Sequence, residues 1–229
     1  MSLNNAFTGL LSHQRVFVIL GPYGSGKTEI AINLAGMLAR DGRRAALADL
    51  DIVNPYFRSR EKEDILKAAG IRLIAPDKAT WAADLPAVPP EILTLIQDDS
   101  LTGVLDVGGD KGSVVLAAFS EALLALDSAV WYVINQSRLG AQSPREALGL
   151  LREIEARARL PVTGLINNTH LLGETTLKTI MAVAEYTWEL SARSGLPLVF
   201  NGIQESLAPD LTLPEPILPL ALVMKRPWE

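Results

Sequence analysis

Eight consecutive residues, Gly21-Pro22-Tyr23-Gly24-Ser25-Gly26-Lys27-Thr28, satisfy the pattern G-x-x-x-x-G-K-[ST] at every fixed position. Each residue type answers a need of a bound polyphosphate. Glycines at 21, 24 and 26 let the backbone curl so that successive amide hydrogens face phosphate oxygens. A helix beginning at Thr28 adds the partial positive charge of its N-terminus. Lys27 is expected to reach the β- and γ-phosphates, and the Thr28 hydroxyl to bind Mg²⁺. The expected nucleotide contacts are Gly21, Tyr23, Gly24, Ser25, Gly26, Lys27, Thr28 and Glu29.

Acidic residues follow apolar runs at two further places. Asp49 and Asp51 close one run, and Asp106 closes another, with Gly108, Gly109 and Asp110 just beyond it. A carboxylate at such a position holds magnesium's water shell or orients an attacking water. Gly108 and Gly109 mark either a segment that moves toward a γ-phosphate and back or a tight strand-to-helix turn.

The surrounding elements must bring these groups together. Strands are expected at 16–20, 45–49, 71–75, 103–107, 129–135, 162–167, 197–200 and 219–224. Most are continuous apolar runs, as in strands covered on both faces. Helices are expected at 28–40, 113–126, 144–158 and 174–194. Ser143, Pro144 and Glu146 supply the N-cap, first-turn proline and capping-box glutamate of the third helix. In the fourth, Leu177, Ile180, Met181, Ala184 and Trp188 repeat at helical spacing and are expected to face the core. The alternation predicts a three-layer α/β domain, with a mostly parallel central sheet of about seven to eight strands and helices on both faces. Ligands of such sheets sit at the strands' carboxyl ends, where the loop and the carboxylates converge. The whole chain, 1–229, is expected to be one domain, with an N-terminal extension at 1–14 and a proline-rich loop at 76–90.

Composition narrows the function. The chain of 229 residues is 48% hydrophobic and 21% charged, with a net charge of -5, a soluble globular balance opposed to broad nucleic-acid binding. The absence of cysteine excludes disulfides, thiolate clusters and cysteine nucleophiles. Two histidines, His13 and His170, do not make a multi-histidine metal site. With no signal-peptide pattern at the N-terminus and no apolar run of the ~20 residues that span a bilayer, a cytoplasmic location is expected.

The glycine loop, the Asp49-Leu50-Asp51 segment and the Asp106-Val107-Gly108-Gly109 segment together resemble the P-loop ATPases of the MinD, ParA and CobQ-like (SIMIBI) group. That group also contains the nitrogenase iron protein and enzymes of the dethiobiotin synthetase type. The resemblance runs from Arg15 to about Phe200, and the stretch 49–61 resembles a bacterial branch described as ATP-binding proteins. It implies a P-loop NTPase fold with ATP and Mg²⁺ as cofactors. Lys27 and Thr28 match the loop lysine and the metal ligand. Asp106 matches the aspartate near magnesium, and Asp51 the one that positions water, so the implied metal residues are Thr28, Asp51 and Asp106 and the catalytic pair is Lys27 and Asp51. Asn167, in Leu165-Ile166-Asn167-Asn168-Thr169-His170, lies where the family contacts the base. A guanine reader of the Asn-Lys-x-Asp kind has aspartate where this chain has His170, which favours ATP over GTP.

The departures carry information too. Partitioning-type members place a second lysine just after the first glycine, where this chain has Pro22. Arg58, Arg60 and Arg138 are candidate substitutes, each set against the reading of a solvated surface charge. The Fe–S cluster of some relatives is excluded for want of cysteine. Prolines interrupt the tail at 213–229, so the membrane-attaching helix of MinD-like members is not expected. The expected function is a magnesium-dependent ATP-binding protein, a slow ATPase acting as a nucleotide switch for a protein partner or in a homodimer. The alternatives are an ATP-dependent small-molecule phosphotransferase or ligase, with Asn54, Tyr56, Arg58, Trp81 and Asp84 lining a pocket, and a non-hydrolysing regulatory module.

Overall fold

Strand β1 (Val16–Leu20) is apolar and buried at every position, because side chains leave a strand alternately to two faces and both are covered here. Val16, Val18 and Leu20 enter one core, while Phe17 and Ile19 enter a second on the other side of the sheet. The same division recurs in β5 (Ala129–Ile134): Val130, Tyr132 and Ile134 face the first core and Ala129, Trp131 and Val133 the second. The computed structural model describes residues 9, 11–50, 63–75, 91–126, 128–170 and 174–224.

Around these two strands stand β2 (Arg44–Asp49), β3 (Arg72–Ile74), β4 (Leu101–Asp106), β6 (Gly164–Asn167), β7 (Leu198–Gln204) and β8 (Ile217–Leu220). They form one eight-stranded sheet in the order β3-β2-β4-β1-β5-β6-β7-β8, and every pairing is parallel. The expected α/β layering is therefore present, with a sheet that is parallel throughout. Chain order reverses about β1, which lies between β4 and β5, so a crevice opens beyond its carboxyl end.

Helix α1 (Lys27–Arg40) covers the second core with Ile30, Leu34 and Leu38. Helix α6 (Pro144–Ala158), counted after α2 (Glu63–Ala68), α3 (Glu91–Gln97), α4 (Gly109–Ala117) and α5 (Ser120–Ala125), covers the first with Ala147, Leu151, Ile154 and Ala158. At the foot of the sheet, Arg15 donates to the carbonyls of Leu95 at 2.8 Å and Ile96 at 2.6 Å, satisfying the end of α3.

Two expected helices are each broken in two. The run expected at 113–126 ends at Ala118, and the Ser120 hydroxyl donates back to the Ala117 carbonyl at 2.9 Å, a local bond that competes with helix continuation. The run expected at 174–194 becomes α7 (Leu177–Ala182) and α8 (Ala184–Ser194), with Val183 between them. That break shifts the buried stripe. Ile180, Val183, Tyr186 and Leu190 are buried, whereas Met181 and Trp188 are exposed and Leu177 borders on it. The expected core-facing stripe is thus corrected at all but Ile180 and the half-buried Ala184. Among the described residues, no helix is long and apolar enough to cross a membrane.

Candidate functional site

The loop leaving β1 turns through glycines with positive φ: +150° at Gly21, +73° at Gly24 and +89° at Gly26. Side chains rarely adopt the last two conformations, so glycine is required there for backbone reasons alone. Gly26 is the N-cap of α1 and no side chain caps that helix, an arrangement in which a helix N-terminus can receive an anion. Ser25 is fully buried, and its Oγ has no hydrogen-bond partner among the described residues. Lys27 is buried, and its Nζ donates to the Pro22 carbonyl at 2.9 Å across the mouth of the loop. Thr28 follows in the first turn of α1. Tyr23, at 70% exposure, turns its ring outward from the loop.

The carboxylates arrive by strand register. Asp106 pairs in register with Ile19 of β1 on one side and with Asp49 of β2 on the other. Both aspartates are buried at the carboxyl ends of their strands, Asp106 one strand and Asp49 two strands from β1, which leads into the phosphate loop. Val107 and Gly108 then make a short turn into α4, whose first residue, Gly109, has φ +40°. The glycine pair therefore forms a strand-to-helix turn. Asp110 falls in the first turn of α4. Asp51, the proline-rich loop 76–90, and Asn54, Tyr56, Arg58, Arg60, Trp81 and Asp84 lie outside the described residues.

The far wall of the loop is amide-rich. Asn167 ends β6; its Nδ2 donates to Oδ1 of Asn201 at 2.9 Å, and its Oδ1 accepts from the Thr169 amide at 3.1 Å. Its side chain thus organises the strand ends. Asn168, which the sequence reading passed over, donates from Nδ2 to the Ser25 carbonyl at 2.8 Å and so clamps the phosphate loop to β6. The amide needs glycine at 26, where a Cβ would collide with Nδ2, and packs tightly on Gly202, where a Cβ would lie 3.1 Å from Oδ1. A polar pair just past an apolar strand is the signal that marked this position. His170 Nε2 lies beside Gly26. Burial, reinforced by the Arg138 charge, lowers its pKa to about 4, so the imidazole is neutral near pH 7. The Glu29 carboxylate accepts the amides of Val223 at 3.0 Å and Met224 at 2.6 Å, tying the first turn of α1 to the C-terminal segment.

An uncapped helix, a positive-φ glycine loop and adjacent buried carboxylates form a cradle suited to a polyphosphate and its cation. The family model for the CobQ/CobB/MinD/ParA nucleotide binding domain matches residues 17–190. No curated protein sequence matches the chain. Among solved structures, the cell division protein FtsY of Thermotoga maritima superposes with a TM-score of 0.54 at 21% identity, covering 84% of this chain and 62% of that one. FtsY of Mycoplasma mycoides gives 0.56 at 15% identity, over 89% of this chain and 68% of that one. The signal recognition particle 54 kDa protein of Aeropyrum pernix, in complex with GDP, gives 0.52 at 18% identity, over 81% and 40%. The chain thus spans less than two thirds of the Thermotoga and Aeropyrum proteins, and at these identities the likeness is one of fold.

Proposed function

Because this chain belongs to the CobQ/CobB/MinD/ParA family of nucleotide-binding domains, we propose that it is a magnesium-dependent ATP-binding switch, hydrolysing slowly and signalling its nucleotide state to a protein partner. The observation that carries this reading is the phosphate loop itself, with positive φ at Gly21, Gly24 and Gly26 and no side-chain cap on the helix that follows. Lys27 and the first amides of α1 would hold the phosphates. Thr28 and Asp106 would hold magnesium, an ion that takes one or two protein ligands and fills the rest of its shell with water and phosphate oxygens. Magnesium, when bound, neutralises phosphate charge; Asp51 would orient the attacking water. The preference for adenine is supported by His170, a half-buried neutral imidazole where a guanine reader carries a carboxylate.

Titration with ATP and GTP, followed by turnover with magnesium, tests the proposal. Wild type is expected to bind ATP on the order of micromolar or tighter, and GTP at least about ten-fold more weakly. Lys27→Ala should lose binding, and Asp51→Ala should bind without turning over. Retained affinity in Lys27→Ala would overturn the phosphate-loop assignment; tighter binding of GTP would reassign the base.

A further inference from the structure

The loop from β5 to α6 supplies a second cation to the phosphate loop. From 114 positions along the chain, Arg138 donates from Nε to the Gly24 carbonyl at 2.8 Å. Its Nε and Cζ lie 3.2 and 3.3 Å from where a Cβ on Gly24 would stand, so the guanidinium rests against the Gly24 backbone. The next amide, Ser25 N–H, donates to the Pro22 carbonyl at 3.2 Å. The Gly24–Ser25 peptide is therefore held on both of its polar edges.

An exposed arginine is usually a solvated charge with little energetic weight. Here its backbone is fixed from several directions. The Ser137 amide donates to Asn135 Oδ1 at 3.0 Å, and the Gln136 amide to Thr169 Oγ1 at 3.1 Å. The Arg138 amide donates to the Asn135 carbonyl at 3.1 Å and the Ala141 amide to the Arg138 carbonyl at 3.2 Å. Tyr186 of α8 then donates its hydroxyl to the Ala141 carbonyl at 2.6 Å. At the root of the loop Asn135 is fully buried, with an Nδ2 that has no partner among the described residues. A planar fork that spends Nε on the loop retains its other N–H groups for a phosphate oxygen.

We infer that Arg138 is a phosphate-positioning residue supplied in cis: it braces the Gly24 peptide and sets a fixed positive charge beside the bound β- and γ-phosphates, completing the site within one chain. This inference rests on the phosphate-loop reading above and names the residue that complements Lys27.

The test is the affinity for ATP, ADP and AMP of wild type, Arg138→Ala, Arg138→Lys and the Lys27→Ala control, with the thermal midpoint of each nucleotide-free protein measured alongside. Arg138→Ala should weaken ATP binding about ten-fold and AMP binding less than about two-fold, because the lost charge acts on the outer phosphates. Arg138→Lys, which keeps the charge without the fork, should fall between wild type and Arg138→Ala for ATP. Unchanged ATP affinity in Arg138→Ala, with binding lost in Lys27→Ala, overturns this inference and leaves the nucleotide site standing. Equal losses for ATP and AMP reduce Arg138 to a loop brace and overturn it as well. Affinity that rises with protein concentration would mean that a second copy supplies the cation. Retained binding in Lys27→Ala would remove the phosphate-loop reading, and this inference with it.

Discussion

Asn168 exerts its effect through one donated hydrogen bond, so its substitutions separate by chemistry rather than by size. Asn168→Ala removes the donor to the Ser25 carbonyl, at a cost of about 1–3 kcal/mol for the carbonyl left behind. Asn168→Asp is expected to do more damage, since a carboxylate would face that carbonyl oxygen at the same distance. Denaturant midpoints and ATP affinities should both run wild type, then Ala, then Asp; the reverse order of the two variants would show that the amide does not serve as the clamp. His170 yields a prediction with pH. Its folded pKa of about 4 lies below the ordinary 6.5, so between these values the unfolded chain binds more protons and stability rises with pH. The contribution is fully present above about pH 6.5 and is lost as pH falls through 4, on the order of 2 kcal/mol in all. Unfolding free energies from pH 7 to 4 should show a shallower decline in His170→Gln than in wild type; parallel curves would place the imidazole in water. Of these groups, Lys27 and Asp106 were readable from the sequence because their spacing and strand ends are local facts. The Asn168 clamp and the Arg138 bond were not, for both partners meet only when β5, β6 and the β1 loop lie side by side.

Element by element, the strands were readable because burial on both faces forces unbroken apolar runs, and β1 falls at its expected place. Helix α6 was readable to the residue. Its cap is reciprocal: Ser143 Oγ accepts the Glu146 amide at 3.3 Å, and Glu146 Oε2 accepts the Ser143 amide at 3.0 Å. Ser143→Ala should cost about 1 kcal/mol of stability, measured as a lower denaturant midpoint at unchanged slope, while ATP affinity stays within about two-fold. A larger loss of affinity would mean that the cap also holds the Arg138 loop. The breaks at Ala118 and Val183 were hidden because the apolar period runs through them. At Val183, the Thr187 hydroxyl donates to the carbonyls of Val183 and Ala184, and Tyr186 replaces Trp188 as the aromatic that enters the core.

Across the whole molecule, the phosphate-loop helix is also the anchor of the chain's far end. Asn33 on α1 donates from Nδ2 to the Ala221 carbonyl at 3.0 Å and accepts the Ala221 amide on Oδ1 at 2.9 Å. This pair reproduces a strand's hydrogen bonds, just beyond the edge strand β8, across 188 positions of sequence. It was not readable from the sequence, since an asparagine in the middle of a helix usually marks only an exposed or weakly favoured site. Asn33→Leu keeps the branched shape but leaves the half-buried Ala221 amide and carbonyl without these partners, at up to about 1–3 kcal/mol for each group, so a lower unfolding midpoint is expected. Because Asn33 lies on the side of α1 that faces Ala221, away from the loop contacts, the ligand's contribution should be additive with the latch. Saturation at about 100 times Kd should add about 2.7 kcal/mol to wild type and the same to Asn33→Leu. An equal increment in both proteins would mean that the C-terminal segment stabilises the fold independently of nucleotide. A smaller one in the variant would mean that the latch is coupled to the loop, which would make the C-terminal segment part of the proposed switch.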